Sequence, residues 1–221
     1  MPSTSRQVHN DAGPSLTERL ARRAVDRTVA GRQAEYEREM SRIVETTFEL
    51  VRTTGTVDPS MREILAATGL STQAFYRYFA SKDECMLAVL DEGRRRLLAT
   101  LERRMQRART APERISAWIE GVLAQASGPA GARTRPWVAN EQRLAERFPD
   151  EHDASVAVLV ALLVPPVSEL GGVDAGEARL AASFVYRVTF ASLQAALARG
   201  SGVSSTEASA LVEFCLTGVR R

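Results

Sequence analysis

Polar, aromatic and basic side chains that suit contacts to DNA concentrate in one short segment before the chain's only lysine. On a helix lying in the major groove, Gln73 can pair bidentately with adenine and Arg77 with guanine. The hydroxyls of Tyr76 and Tyr78 can bond to phosphate oxygens. Lys82 lies at the predicted start of the next helix, where backbone N–H groups and the helix dipole also favour a phosphate. This segment could therefore read bases and hold the DNA backbone.

Two short helices are predicted to position these side chains. Ser60 and Glu63 have the spacing of a capping box, so a helix should begin at Met61, and Gly69 should end it. A second short helix is expected over residues 72–79, with its phenylalanines facing inward. A longer helix precedes both. This is the layout of a helix-turn-helix, whose second helix lies in the major groove.

Long helices are predicted on both sides of this motif. The helix before it has an apolar face at helical spacing from Met40 to Val51 and should end at Gly55. The helix after it should begin at a second capping box, residues 81–84, and continue to about Arg109. This last helix joins the motif to the rest of the chain and is therefore the expected lever between them.

Three runs of the motif carry a resemblance: residues 60–64 (SMREI), 68–71 (TGLS) and 75–84 (FYRYFASKDE). They are similar to the DNA-binding signature of the TetR/AcrR (tetracycline-repressor-like) family over roughly residues 38–90. The tripeptide Gln73-Ala74-Phe75 departs from the small residue, Thr and Leu often found there, which leaves the base preference open. The resemblance implies that Lys82 holds a phosphate and that Arg62, Thr72, Gln73, Tyr76, Arg77 and Tyr78 contact double-stranded operator DNA.

The composition predicts an all-α fold. Ala, Leu, Arg and Glu dominate, and aromatic residues make up only 6% of the chain. We count about nine helices and no credible strand. The expected organisation is a flexible basic N-terminal arm at 1–34, a three-helix helix-turn-helix DNA-binding domain at 35–84, and a helical ligand-sensing and dimerisation domain at 85–221.

The C-terminal part contains several helix boundaries. Residues 127–135 (SGPAGARTR) are expected to form a loop, and the apolar helix after Pro149 should kink or break near Pro165-Pro166. A long helix then has small residues along one face from Ala178 to Ala196. That face could pack in the core or, with the last helix, form a four-helix dimer interface. Reading two half-sites favours a homodimer, which the resemblance also implies through the last two helices.

The distribution of charge gives only a weak indication of DNA binding. The formal net charge is +2, and residues 35–85 hold six basic and nine acidic side chains, a net charge of −3. The arm before them is basic and helix-compatible from Leu16 to Arg32. It could supply the missing attraction by reaching a minor groove, or it could be a solvated tail.

The resemblance also implies a ligand cavity inside the C-terminal domain. Such sites are mostly apolar with a few polar anchors, although each aromatic residue here could instead be plain core. The arginines around Arg94-Arg95-Arg96 either form a solvated helix face or bind an anionic ligand, such as the phosphates of an acyl-CoA. The effector is expected to be small and largely apolar. Candidate ligand-binding residues are Trp118, Trp137, Arg143, Phe184 and Phe190.

The composition speaks against several other classes of protein. Two histidines and the distant Cys85 and Cys215 are too few for a zinc site or a disulfide framework, so we expect no metal and no cofactor. No apolar run reaches the roughly 18–20 residues that span a bilayer, and no signal-peptide core is present. A cytoplasmic protein without membrane contact fits these features. The sequence contains neither a phosphate-binding loop nor a GxSxG nucleophile elbow, so no motif predicts an enzyme.

The leading hypothesis is a repressor that a small-molecule ligand releases from a palindromic operator. The ligand would favour a conformation in which the two recognition helices no longer match their half-sites. An activator, or a DNA-binding protein that needs no ligand, would use the same motif. Absence of a cavity would favour that second class.

Overall fold

The structure, a computed structural model, describes residues 15–56 and 58–220, and for residues 133 and 139 only the backbone. The described residues contain ten α-helices, one 3₁₀ turn and no strand, which confirms the all-α prediction. The helices are α1 (Leu16–Thr54), α2 (Met61–Thr68), α3 (Thr72–Phe75), α4 (Lys82–Met105), α5 (Ala111–Leu123), α6 (Gly128–Arg147), α7 (Pro149–Ala161), α8 (Val164–Gly171), α9 (Ala175–Arg199) and α10 (Ser205–Val219), with the 3₁₀ turn at Ala124–Ala126.

The first helix is longer than the sequence suggested. It begins directly after Ser15, whose N–H donates to Glu18 Oε2 at 2.7 Å while Glu18 N–H donates to Ser15 Oγ at 3.2 Å. The described part of the expected arm is therefore helical, and residues 1–14 lie outside the described residues. The chain forms two compact units, one ending at Arg42 and the other beginning at Ile43. Every buried residue of α1 belongs to the second unit.

The C-terminal core surrounds α5, which packs against α4, α8, α9 and α10. One face of α5 is apolar, and its Ile115, Trp118, Ile119 and Val122 are completely buried. Gly121 permits a close approach of α5 to α4, since a Cβ atom there would lie 2.6 Å from the Leu101 side chain. Burial of these apolar side chains is the main force that holds the helices together.

Residues 127–135 do not form the expected loop, because α6 begins at Gly128. Pro129 stands in the first turn of α6, where a missing N–H costs no hydrogen bond. A Cβ atom at Gly131 would collide with the carbonyl of Ala126, so glycine is needed there for packing. These residues, which usually mark a loop, thus start a helix here.

The predicted break near Pro165-Pro166 is confirmed: α7 and α8 are bent by 49° relative to each other, and Pro165 lies in the first turn of α8.

The small-residue face of α9 packs inside the protomer. Ala178, Ala182, Thr189 and Ala196 are buried, which supports the first of the two interpretations of that face. By length and apolarity alone α9 could cross a membrane, as could α7 and α8 if counted together, although no single long apolar run was expected. Because α9 contributes so many residues to the core, it is a core helix by its packing.

Both cysteines are buried. Burial raises the pKa of the Cys85 thiol to about 12, and burial likewise raises the pKa of Cys215. Such thiols stay protonated near neutral pH and are poor nucleophiles. This agrees with the prediction that both residues are small members of the core.

Candidate DNA-binding surface and ligand cavity

The helix-turn-helix is held by local caps and two aromatic anchors. Gly69 ends α2 with a φ of 70°, a left-handed conformation that glycine adopts without strain. Ser71 Oγ then accepts from Ala74 N–H at 3.1 Å and starts α3. Phe75 and Phe79 are buried, with ring centroids 5.4 Å apart. Because these rings anchor α3 in the core, its other side is fixed toward solvent.

The recognition helix is shorter than predicted. It ends at Phe75, and the chain continues to Phe79 as a turn in which Arg77 N–H donates to Ala74 O at 3.3 Å. The second capping box is also incomplete. Ser81 Oγ accepts from Glu84 N–H at 3.1 Å, but the Glu84 carboxylate accepts from the N–H of Ala80 instead of Ser81.

The candidate DNA-contacting residues are at the surface around α2, α3 and the following turn. The Tyr76 ring packs edge-on against Phe75 at 5.5 Å, and the Arg77 guanidinium lies 5.8 Å from the Tyr78 ring centroid. These ring contacts position both side chains without burying them. The exposed members are Arg62, Thr72, Gln73, Tyr76 and Arg77, and Tyr78 is half-buried.

Lys82, the expected phosphate ligand, makes contacts within the protein. Its Nζ lies 2.8 Å from Asp58 Oδ1 and 3.3 Å from the carbonyl of Pro59, so it ties the loop before α2 to the start of α4. Only 26% of the side chain is exposed. A phosphate at this helix N-terminus would have to share the lysine with the Asp58 carboxylate.

Arg143, an expected ligand anchor, makes its ion pairs with residues of the helix-turn-helix region. It forms an ion pair with Asp83, the second residue of α4, and its Nη2 lies 3.9 Å from Asp58. Arg147 joins the same cluster at 3.2 Å from Asp83 Oδ2. Arg143 therefore connects α6 to the helix-turn-helix, away from the aromatic residues that it was expected to accompany.

A cavity of about 240 Å³ lies between α4, α6, α9 and the C-terminal part of α1. Two of the predicted ligand-binding residues, Trp137 and Phe190, line it. Trp137 stacks on Phe48 of α1, with ring centroids 4.8 Å apart and an interplanar angle of 12°. Trp118 does not line the cavity: it is buried behind Phe190 at 6.4 Å between ring centroids.

The most unusual polar group of the cavity belongs to Arg94. Its side chain is 7% exposed, and its Nη2 donates to Glu141 Oε1 at 2.7 Å and lies 3.1 Å from Nδ1 of His152. Its Nη1 is buried without a hydrogen-bond partner among the described residues. An unsatisfied buried donor costs about 1–3 kcal/mol, and more when it is charged. Such a group is a binding-site candidate on physical grounds.

Sequence reasoning treated Arg94 only as part of a basic run. Its inward position could have been found from Leu90, Leu97 and Leu101, because these residues and Arg94 recur at helical spacing on one face of α4. A charged residue in such a series needs a buried partner. Glu141 is that partner, although nothing in its own surroundings in the sequence predicts the pairing.

The neighbouring arginines have other contacts. Arg95 is exposed and pairs with Asp91 at 3.1 Å. Arg96 forms ion pairs with Glu45 and with Glu92, which raise the pKa of the Arg96 guanidinium, and its centre lies 4.1 Å from the Phe48 ring centroid. The basic run therefore divides into a solvated residue, a residue that ties α4 to α1, and a residue inside the cavity.

A second concave region lies on the surface of α9 and α10. We call this region, about 670 Å³ in volume, the α9–α10 groove. Its most exposed apolar residues are Leu180, Phe184 and Phe214, which are 59%, 53% and 67% exposed. Phe184 thus lies on this surface and does not line the cavity between α4, α6 and α9.

Comparison with known proteins agrees with this geometry. Residues 43–89 match the family described as "Bacterial regulatory proteins, tetR family". No curated protein matches the sequence significantly. The structure of RolR in complex with resorcinol has a TM-score of 0.62 at 13% identity, over 84% of this chain and 89% of RolR.

Two further solved structures have the same fold. SCO4454, a TetR-family transcriptional regulator from Streptomyces coelicolor, has a TM-score of 0.58 at 17% identity, over 89% of this chain and 96% of SCO4454. FadR from Bacillus subtilis in complex with stearoyl-CoA has a TM-score of 0.54 at 14% identity, over 81% of this chain and 96% of FadR. The fold and the motif define a helix-turn-helix transcriptional regulator. Residues 43–89 carry the sequence signature of the tetR family, and the described chain shares the fold of a TetR-family regulator.

Proposed function

We propose that this protein is a repressor that binds a palindromic operator as a homodimer and leaves it when a small molecule fills the cavity. The observation that carries the proposal is the position of Phe48 and Arg52. Both line the cavity, and both belong to residues 43–89, which match the family of DNA-binding regulators. If Phe48 and Arg52 move when the protein leaves the operator, a ligand that contacts them binds the DNA-bound and released conformations with different affinities. Such a difference in affinity is what shifts the population from one conformation to the other.

On the DNA side, the exposed residues of α2 and α3 supply both kinds of contact. Gln73 and Arg77 are the proposed base-reading residues, and Tyr76 with Arg62 contact the backbone. Two copies of α3 would enter successive major grooves about 34–36 Å apart. The operator is therefore expected to be a palindrome. Because operator DNA is the proposed partner, we expect the protein in the cytoplasm.

A second copy of this chain is the proposed occupant of the α9–α10 groove. The large exposed apolar side chains there are Leu180, Phe184 and Phe214, and a patch of this kind is typical of a protein interface. A dimer built on two helices from each copy forms a four-helix arrangement with twofold symmetry. That symmetry supplies the two recognition helices that a palindrome needs.

The size of the cavity bears on the effector. RolR was solved with resorcinol and FadR with stearoyl-CoA. A cavity of about 240 Å³ is smaller than the roughly 300–1,000 Å³ typical of sites for drug-sized ligands. It suits a compact molecule of the first kind and is too small to enclose an acyl-CoA, which the geometry therefore disfavours.

The proposal is tested by fluorescence anisotropy with a duplex from the gene's own upstream region and a random duplex of equal length. Specific binding stronger than the control by about 10³-fold or more would support a sequence-specific regulator. The dependence of the affinity on salt gives the number of phosphate contacts. If the upstream duplex binds no better than the control, the operator is selected from a pool of random DNA. If the selected DNA also binds no better than the control, the proposal is wrong.

A further inference from the structure

The chemistry of the ligand cavity indicates what kind of molecule it accepts, and this inference rests on the proposed function. The cavity contains one buried donor that the protein leaves without an acceptor among the described residues, Arg94 Nη1. Glu141 and His152 both lie on the other terminal nitrogen of the same guanidinium, Nη2. The protein thus orients Arg94 through Nη2 and leaves Nη1 without an acceptor, on a residue that lines the cavity.

The apolar part of the lining favours a flat ring. Trp137, Phe48 and Phe190 all line the cavity, and Trp137 is held in place by its stacking on Phe48. Phe190 is fixed in turn by Tyr186, with ring centroids 4.3 Å apart. Aromatic side chains that are locked in this way offer flat faces, against which an aromatic ligand packs in offset or edge-on geometry.

The charges around the cavity favour an anion. Among the described lining residues are three arginines, Arg52, Arg94 and Arg96, against a single carboxylate, Glu141. Arg52 and Arg96 are already paired with glutamates of α1 and α4. Glu141 is bonded to Arg94, so a cationic ligand would meet guanidinium groups without a free carboxylate. A neutral carbonyl could accept from Nη1, but a carboxylate adds an attraction between opposite charges, which is stronger in a poorly solvated site than in water.

We propose that the effector is an aromatic carboxylate of one or two rings, whose carboxylate accepts a hydrogen bond from Arg94 Nη1 while its ring packs among Phe48, Trp137 and Phe190. The ligand oxygen supplies the acceptor that the folded protein lacks. The same contact places the ring beside α1, which connects binding to the DNA-binding domain.

The test is isothermal titration of the full-length protein with benzoate, 2-naphthoate, 2-naphthamide and cyclohexanecarboxylate. At least one aromatic acid should bind, the matched amide should bind at least about tenfold more weakly, and the non-aromatic acid should also bind more weakly. Equal affinities for 2-naphthoate and 2-naphthamide would overturn the proposal, as would failure of both aromatic acids to bind.

Variants assign the contact to Arg94. Arg94→Met should remove the preference for acid over amide, and Arg95→Met, on the exposed side of the same helix, should keep it. Because Arg94→Met leaves Glu141 without its partner, the double variant Arg94→Met/Glu141→Gln removes both charges and should show the same loss. Retention of the preference in a folded variant that lacks Arg94 would overturn the proposal.

Operator binding is measured on the same samples to separate this proposal from the proposed function. If 2-naphthoate binds through Arg94 but leaves operator affinity unchanged, the ligand class stands and release by ligand fails. If no aromatic acid binds although operator DNA is bound specifically, the ligand class fails and the DNA-binding function stands.

Discussion

Phe48 of α1 stacks on Trp137 of α6, and the guanidinium of Arg96 on α4 lies 4.1 Å from the centroid of the same phenylalanine ring. One ring thus joins three helices at the wall of the cavity. The ion pair of Arg96 with Glu45 adds a second link from α4 to α1. A ligand that moves Trp137 would therefore also act on Phe48 of α1.

Replacing Phe48 tests this connection. Phe48→Leu keeps an apolar side chain in a buried position but removes both ring contacts, so operator affinity without ligand should change little. The ratio of operator affinities without ligand and with saturating 2-naphthoate should fall several-fold, because the coupling between the two sites is weakened. Anisotropy titrations with and without ligand measure that ratio. An unchanged ratio would show that coupling takes another route.

The matched control is Arg95→Met, which changes an exposed residue of α4 that does not line the cavity. It should leave both operator affinity and the ratio as in the wild type. A general loss of operator binding in Phe48→Leu, without a change in the ratio, would instead indicate damage to the DNA-binding domain.

The two basic residues of the recognition region should respond differently to truncation. Arg77→Ala should cost about 1–3 kcal/mol on the specific operator and relax the preference at one base pair, if Arg77 contacts guanine. Lys82→Ala should weaken all DNA sequences alike, because a phosphate contact carries no sequence information. It also leaves Asp58 with only the more distant Arg143, at 3.9 Å, so negative charge near the DNA adds to the loss.

Anisotropy with specific and random duplexes distinguishes the two effects. The double variant Lys82→Ala/Asp58→Asn also removes the Asp58 carboxylate and should recover part of the affinity. If Arg77→Ala weakens both duplexes equally, Arg77 contacts the backbone and base reading falls to Gln73.

How far the sequence predicts this molecule depends on how local each determinant is. The helix-turn-helix was predicted from the sequence because its boundaries are set within a few residues, by the Ser60–Glu63 capping box and the left-handed Gly69. The start of α6 was missed, since Gly131 is explained by its contact with the carbonyl of Ala126, which the pattern of residues does not reveal.

The ligand cavity was predicted less well because it depends on which face of each helix meets which neighbour. Trp137 and Phe190 line the cavity, whereas Phe184 stands six residues before Phe190 on α9 and faces a different surface. Arg143 was assigned by proximity in sequence to Trp137, whereas its direction is set by Asp83, sixty residues away. Long-range pairings of this kind are not encoded in local patterns.

The α9–α10 groove should be the dimer interface. Phe214 is 67% exposed, so Phe214→Asp should leave the protomer folded but place a charge in the proposed interface, which shifts the dimer to monomer. Val158→Asp on α7 is a matched control at a position that is 49% exposed and outside the groove. Sedimentation equilibrium measures the mass. Loss of the dimer in both variants, or in neither, would contradict this assignment.

The stability of the protein should fall as pH decreases through the range where His152 titrates. Burial, with a smaller contribution from the charge of Arg94, lowers the pKa of His152, whereas Glu141 and Asp153 act in the opposite direction. Below its ordinary pKa of 6.5 the unfolded chain takes up a proton that the folded protein resists, so stability is complete above that pH and is lost as pH falls.

Urea unfolding between pH 7.5 and 5 at fixed ionic strength tests this, with His152→Gln as the comparison. The amide of the substituted side chain would offer an oxygen to Arg94 but would not titrate, so the variant should lose less stability than the wild type over the same range. The carboxylates that titrate at lower pH are shared by both proteins and cancel in the difference. Parallel curves for the two proteins would mean that His152 is equally basic in the folded and unfolded chains, and that its contact with Arg94 does not disfavour the protonated imidazole.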